Sequence, residues 1–154
     1  MSVHLPEAPD RHGLNAQLEY ARETLDAPAL LILHADLPLA DAAAVRRLVA
    51  AAPPAPSITL VESLDGGTNA MLLQPPGGVA LAYGPGSAAA HREAAAAAGY
   101  TVTAADEPSL QLDLDTRDDL ARLLAWGRGA HQRCRALSAR MRCAARLAPG
   151  PGID

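Results

Sequence analysis

Lysine and phenylalanine are both missing from these 154 residues, and all 13 basic side chains are arginine. Without lysine there is no Walker-type phosphate loop, so any grip on a triphosphate falls to arginine or to other groups. Aromatics reach only 3% of a chain that is 49% hydrophobic, so the core has to be built from Leu, Val, Ile and Ala. Cysteine is scarce. Cys134 and Cys143 stand nine apart with no CxxC pair or neighbouring histidine pair, which argues against zinc and for reduced cytosolic thiols. The first dozen residues contain no apolar stretch of the signal-peptide kind, and no run of 18 apolar residues occurs anywhere. A soluble, cytoplasmic chain with no membrane partner is expected. Neither a GxSxG elbow nor an HExxH helix is present to suggest hydrolytic chemistry.

The length suits one compact domain, and the abundance of Ala, Arg, Gly and Pro reads as genomic base composition rather than function. Charge is uneven. Residues 1–126 carry seven arginines against 16 carboxylates, whereas residues 127–154 carry six arginines against Asp154 alone. An acidic body suits a metal-using site. The basic tail lacks interleaved aromatics and clustered charge, so it reads as a solvated helix face rather than a nucleic-acid surface. The expected organisation is a body over 1–126 and a basic helical tail over 127–154.

Along the body, Leu14, Leu18, Ala21 and Leu25 recur at helical spacing. The apolar run 29–33 predicts a central parallel strand covered on both faces. Asp41 is positioned to cap a helix over 42–52, which Pro53 and Pro54 close. Strands are predicted at 57–61, 68–73, 100–103 and 110–114. Ser87 is expected to cap an Ala-rich helix that Gly99 ends, and Asp115 or Thr116 to cap another running to Trp126. Alternating strands and helices give an α/β domain with a mostly parallel sheet, whose chemistry belongs at the carboxyl ends of the strands.

Four constellations stand at such ends. Asp36 follows the apolar run and precedes Pro38; a carboxylate there can hold magnesium against nucleotide phosphates, or can serve simply as a turn or cap residue. His34, two residues earlier, reads as a packed neighbour rather than a catalyst. Asp113 and Asp115, two apart on a predicted strand, share a face and repel unless a cation lies between them, although Asp115 alone reads as a cap. Gly66-Gly67-Thr68-Asn69 and Gly84-Pro85-Gly86-Ser87 allow close backbone approach. The second adds a hydroxyl and free amides at a helix start, suited to a phosphate.

Taken in order, five stretches resemble the 2-phospho-L-lactate / phosphoenolpyruvate guanylyltransferase family of deazaflavin coenzyme F-420 biosynthesis. They are Gly13-Leu14-Asn15-Ala16, Ala35-Asp36-Leu37-Pro38-Leu39, Gly67-Thr68-Asn69-Ala70, Tyr83-Gly84-Pro85-Gly86-Ser87 with His91, and Leu112-Asp113-Leu114-Asp115-Thr116. The resemblance implies a glycosyltransferase-A-like, Rossmann-like nucleotidyltransferase fold. It implies Asp36, Asp113 and Asp115 as catalytic residues and magnesium ligands. Thr68, Asn69, Gly84 and Ser87 would bind a small phosphorylated acid, and Gly13, Leu14 and Asn15 would lie near the guanine base. The implied reaction is attack of the acid's phosphate oxygen on the α-phosphorus of GTP, releasing pyrophosphate.

Family members begin with a further βαβ segment bearing a Lys-Ser-Arg-Leu-type loop that has no counterpart before Gly13. The resemblance therefore implies an N-terminally truncated domain, not expected to turn over by itself. Its implied partner is a complementing subunit or a second copy. Two alternatives stand beside it. One is a molybdenum-cofactor nucleotidyltransferase, against which the Gly84–Ser87 element argues; the other is a non-catalytic half-domain that pairs through an open sheet edge or the tail.

Overall fold

The computed structural model describes residues 5–126, so the basic tail and both cysteines lie outside the described residues. The chain divides into two compact units between Leu114 and Asp115. In the first, α1 spans Leu14–Thr24, β1 Leu30–Leu33, α2 Ala42–Ala50, β2 Ser57–Glu62, β3 Thr68–Gln74, α3 Ser87–Ala97, β4 Thr101–Ala104 and α4 Pro108–Gln111. In the second, residues 117–126 are helical. Thr116 opens that helix through a reciprocal cap: its Oγ1 accepts the Asp119 N–H at 3.2 Å, while the Asp119 carboxylate accepts the Thr116 N–H at 2.9 Å. Thr116 is thus the cap residue and Asp115 lies outside the helix.

The four strands lie in the order β1-β3-β2-β4. β3 runs antiparallel to both β1 and β2, while β2 and β4 are parallel. The α/β class stands, and β1, β2 and β4 share one direction. The exception is β3, because the turn at 65–67 is too short for anything but a hairpin. Its Asp65 carboxylate accepts the Gly67 N–H at 3.2 Å and the Ser63 hydroxyl proton.

Two sequence expectations are corrected. β1 is an edge strand of the described sheet rather than its centre: it pairs with β3 alone, and Leu33 is 39% exposed. An apolar run reports what covers a strand's faces, not what flanks its edges. The predicted strand at 110–114 is instead the short α4 followed by an extended segment. Pro108 sits in the first turn of that helix, where a missing N–H costs nothing.

Side-chain alternation distributes the core between the two sheet faces. Ile32, Ile58, Leu60, Met71 and Leu73 gather with Leu18 of α1 and with Ala88 and Ala95 of α3. Leu31, Val61 and Ala70 gather with Ala44 and Leu48 of α2 and Leu110 of α4. Asp41 caps α2 as expected, accepting the Ala44 N–H at 2.8 Å. Arg47 on α2 grips Glu107, just before α4, through two bonds of 2.8 Å. The bidentate fork fixes the otherwise short α4 against α2.

Leu60 is fully buried at the sheet centre, whereas Leu64 is 56% exposed. Leu60→Ala is expected to lower unfolding free energy by about 2–5 kcal/mol, and Leu64→Ala by less than about 0.5 kcal/mol. Urea denaturation of the two variants checks both.

Candidate active site

The site is built around one irregularity. Between β2 and β3 the register runs Val61↔Ala70 and then Glu62↔Thr68, so Asn69 is an extra residue, a β-bulge. Simple alternation from Met71 and Ala70 would send Asn69 toward α3 and Thr68 toward α2 and α4. The bulge reverses both. Asn69 bonds the α4 side, donating to the Leu110 and Gln111 carbonyls at 3.0 and 3.1 Å. Thr68 turns to α3, where its Oγ1 lies 3.0 Å from His91 Nδ1 and 3.1 Å from Ser87 Oγ.

Thr68, Ser87 and His91 are all buried, and a second tie holds their elements together: the Ala88 N–H donates to the Gly66 carbonyl at 3.2 Å. α3 is opened by Gly86 in the left-handed region at φ 70°, with no side-chain cap. Ser87 is therefore the first helical residue rather than the cap, and its hydroxyl points to Thr68 instead of back along α3. Its N–H is committed to the Gly84 carbonyl at 3.1 Å, and that of Ala88 to Gly66. Those two amides are not free for a phosphate, contrary to the sequence expectation. Space remains at Gly84: at φ 147° a side chain is disfavoured, and an added Cβ would meet nothing within 4 Å.

Asn15 holds this loop. Its amide donates to the Tyr83 carbonyl at 3.0 Å and its side-chain oxygen accepts the Tyr83 N–H at 2.8 Å. The Tyr83 ring then lies 4.8 Å from His91, edge-on, and 5.4 Å from His34. Burial raises the Tyr83 phenol above its ordinary value and lowers the His91 imidazole below its own. Among the described residues, the Tyr83 hydroxyl and His34 Nε2 are buried without hydrogen-bond partners.

Asp36 is exposed at the carboxyl end of β1. Its main-chain carbonyl accepts the Leu114 N–H at 3.2 Å, which brings the segment carrying Asp113 to the same rim. With Leu14, Leu18, Ile32, Leu33, His34 and Ala35, Asp36 lines an open cavity of about 570 Å³. Gly13, at the N-terminus of α1, has φ 83°. Asp115 belongs to the second unit. Among the described residues no group of three or more His, Cys, Asp or Glu side chains stands ready to hold a metal.

The structure thus joins Asn15, Thr68, Gly84 and Ser87 into one network and adds His91 and Tyr83, to which sequence reading gave no role. The His91 signal was its place four residues after Ser87, one helical turn along the same face. Asn69 stands apart from its expected role. An anion needs donors, and both Asn69 amide hydrogens are committed to main-chain carbonyls.

Asn69→Ala would remove the amide donor from both carbonyls, leaving Gln111 only the Leu64 N–H at 3.2 Å, and is expected to cost about 1–3 kcal/mol of stability in urea titration. His91 is neutral in the folded chain, with its pKa held below 6.5, whereas the unfolded chain takes up a proton near 6.5. Its contribution to stability is therefore complete above pH 6.5 and is lost as pH falls below that value. Urea midpoints between pH 5 and 7.5 are expected to fall more steeply on acidification in the parent chain than in His91→Gln.

Among the described residues no helix is long and apolar enough to cross a membrane. A family model described as "Guanylyl transferase CofC like" matches residues 5–144. The phosphoenolpyruvate guanylyltransferase of Rubrobacter xylanophilus is 43% identical over 119 residues, covering 75% of this chain and 58% of that protein. The 2-phospho-L-lactate guanylyltransferase of Haloarcula marismortui is 36% identical over 129 residues, 82% of this chain and 60% of its own length. The 3-phospho-D-glycerate guanylyltransferase of Colwellia psychrerythraea is 36% identical over 95 residues, 62% of this chain and 45% of its own. The chain thus spans about three-fifths, or less, of the curated relatives it matches. With matching stretches that run through β1, the β3 bulge and the start of α3, the chain belongs to the CofC-like guanylyltransferase family of nucleotidyltransferases.

Proposed function

We propose that this chain supplies the acceptor and metal side of a guanylyl transfer, in which GMP from GTP is joined to a small phosphorylated acid with release of pyrophosphate, as a step toward coenzyme F-420. The observation that carries the reading is the convergence of two loops at one rim: the bulge turns Thr68 to meet Ser87 of α3, beside open space at Gly84. Hydroxyls, together with a glycine whose backbone a ligand can approach, suit an acid that is all acceptor. The relatives' names supply the candidate acceptors: phosphoenolpyruvate, 2-phospho-L-lactate and 3-phospho-D-glycerate.

The cavity at the end of β1 suits the nucleotide. Leu14, Leu18 and Ile32 give it an apolar wall for a flat base, and Asp36 stands at its edge. His34 Nε2, without a partner among the described residues, offers a polar atom beside the same wall. Asn15 acts by holding the Tyr83 loop in place, with Leu14 on the wall and Gly13 opening the helix that carries it.

Asp36 and Asp113 are the residues that would hold magnesium. Their hard carboxylate oxygens suit the ion, which commonly takes one or two protein carboxylates and completes its shell with water and substrate phosphates. Such an ion neutralises charge on the transferred group. The protein needs no nucleophile of its own, because the acceptor's phosphate oxygen attacks.

Titration calorimetry with each acid, with and without magnesium and GTP, tests the assignment. Phosphoenolpyruvate or 2-phospho-L-lactate is expected to bind. Asp36→Asn is expected to remove the magnesium dependence of GTP binding and to weaken that binding by about tenfold or more, as loss of one charge-assisted contact implies. Absence of binding by every acid, or unchanged magnesium dependence in the variant, overturns the reading.

A further inference from the structure

The hydrogen bonds around His91 fix where its proton sits. Its Nε2 accepts the Ala82 main-chain N–H at 2.9 Å. A backbone amide can only donate, so Nε2 carries no hydrogen, and the single proton of the neutral ring is on Nδ1. Nδ1 faces Thr68 Oγ1 at 3.0 Å and therefore donates to it. A doubly protonated ring would set an Nε2–H against the Ala82 N–H. Burial in the core opposes that charge as well.

The consequence passes to the hydroxyls. Thr68 and Ser87 bring two O–H protons to one contact of 3.1 Å, which uses one of them. His91 already donates to Thr68 and has no acceptor site left to offer. Neither hydroxyl makes a further hydrogen bond among the described residues. One O–H is left over, whichever way the pair is oriented, and a buried donor without an acceptor is unfavourable.

We propose that His91 is a positioning residue of the acceptor site: its Nδ1 proton makes the Thr68–Ser87 pair a net donor of one O–H bond, which selects a ligand oxygen that only accepts, such as a phosphoryl or carboxylate oxygen. This inference rests on the guanylyltransferase reading for the identity of the ligand, but not for the position of the proton. A histidine tautomer, set by one main-chain amide, thereby determines the hydrogen-bond polarity of a ligand contact it does not touch.

Two measurements on the full chain test it. In long-range nitrogen–proton NMR of histidine-labelled protein, His91 is expected to show the neutral Nδ1–H pattern from pH 6 to 8. A neutral Nε2–H pattern, or an imidazolium at pH 7, overturns the proposal without any variant. Phosphoenolpyruvate affinity is then compared in His91→Asn and His91→Gln. The shorter asparagine amide reaches the Nδ1 position and keeps a donor for Thr68, while the glutamine amide reaches the Nε2 position and keeps only the Ala82 bond. Asparagine is expected to remain within about threefold of the parent, and glutamine to bind about 10- to 100-fold more weakly. The reverse order, or equal loss in both, overturns the relay and leaves His91 as a support for the Ala82 strand of chain. A parent chain with the Nδ1–H pattern that binds no phosphorylated acid sinks the acceptor reading while upholding the proton assignment.

Discussion

One inserted residue in β3 organises the rest of the site. Without the bulge at Asn69, the strand's two-residue period would point Thr68 at α2 and α4, and Asn69 at α3. The bulge exchanges them, and both exchanges matter. Thr68 reaches Ser87 and His91, while Asn69 ties β3 to the last residues of α4. From there the chain runs through Leu112 and Asp113 to Leu114, whose N–H docks on the Asp36 carbonyl. A single backbone irregularity thus directs a hydroxyl to one sheet face and steers a carboxylate-bearing segment along the other.

The surroundings are arranged to make that geometry rigid rather than to present free charges. Asn15 clamps both main-chain polar groups of Tyr83, and Tyr83 packs its ring between His34 and His91. The Ala88 amide closes the gap between the hairpin turn and α3. Each bond uses a donor that an isolated helix start or glycine loop would have offered to an anion. What the site offers is narrower than the motifs suggest: one hydroxyl proton, the space over Gly84, and the exposed Asp36 carboxylate. Low aromatic content gives the few rings weight: His34, Tyr83 and His91 form one stacked row beside a core that is mainly aliphatic.

Much of the fold was legible in residue patterns because those patterns report local demands. The spacing of Leu14 and Leu18 gave α1, Asp41 before an alanine-rich segment gave the cap of α2, and the β-branched run at 57–61 gave β2. The same logic failed where a residue served a non-local partner. Residues 110–114 look like a strand because Leu110, Leu112 and Leu114 alternate, yet Pro108 begins a helical turn and Asn69 binds its end. Ser87 looks like a cap because serine commonly is one; Gly86 takes that place in a left-handed conformation, which frees the hydroxyl for Thr68.

By itself, the sequence determined the α/β alternation, the aliphatic core and the ordered motifs that mark a guanylyltransferase-family chain, for these depend on side-chain type and spacing along the backbone. Only the tertiary structure decided which strand lies at the sheet edge, which way Thr68 faces and which nitrogen of His91 bears its proton. Those depend on hydrogen bonds between residues far apart in the chain, such as Ala82 to His91 and Asn69 to Leu110, and no local pattern encodes the register that brings such partners together.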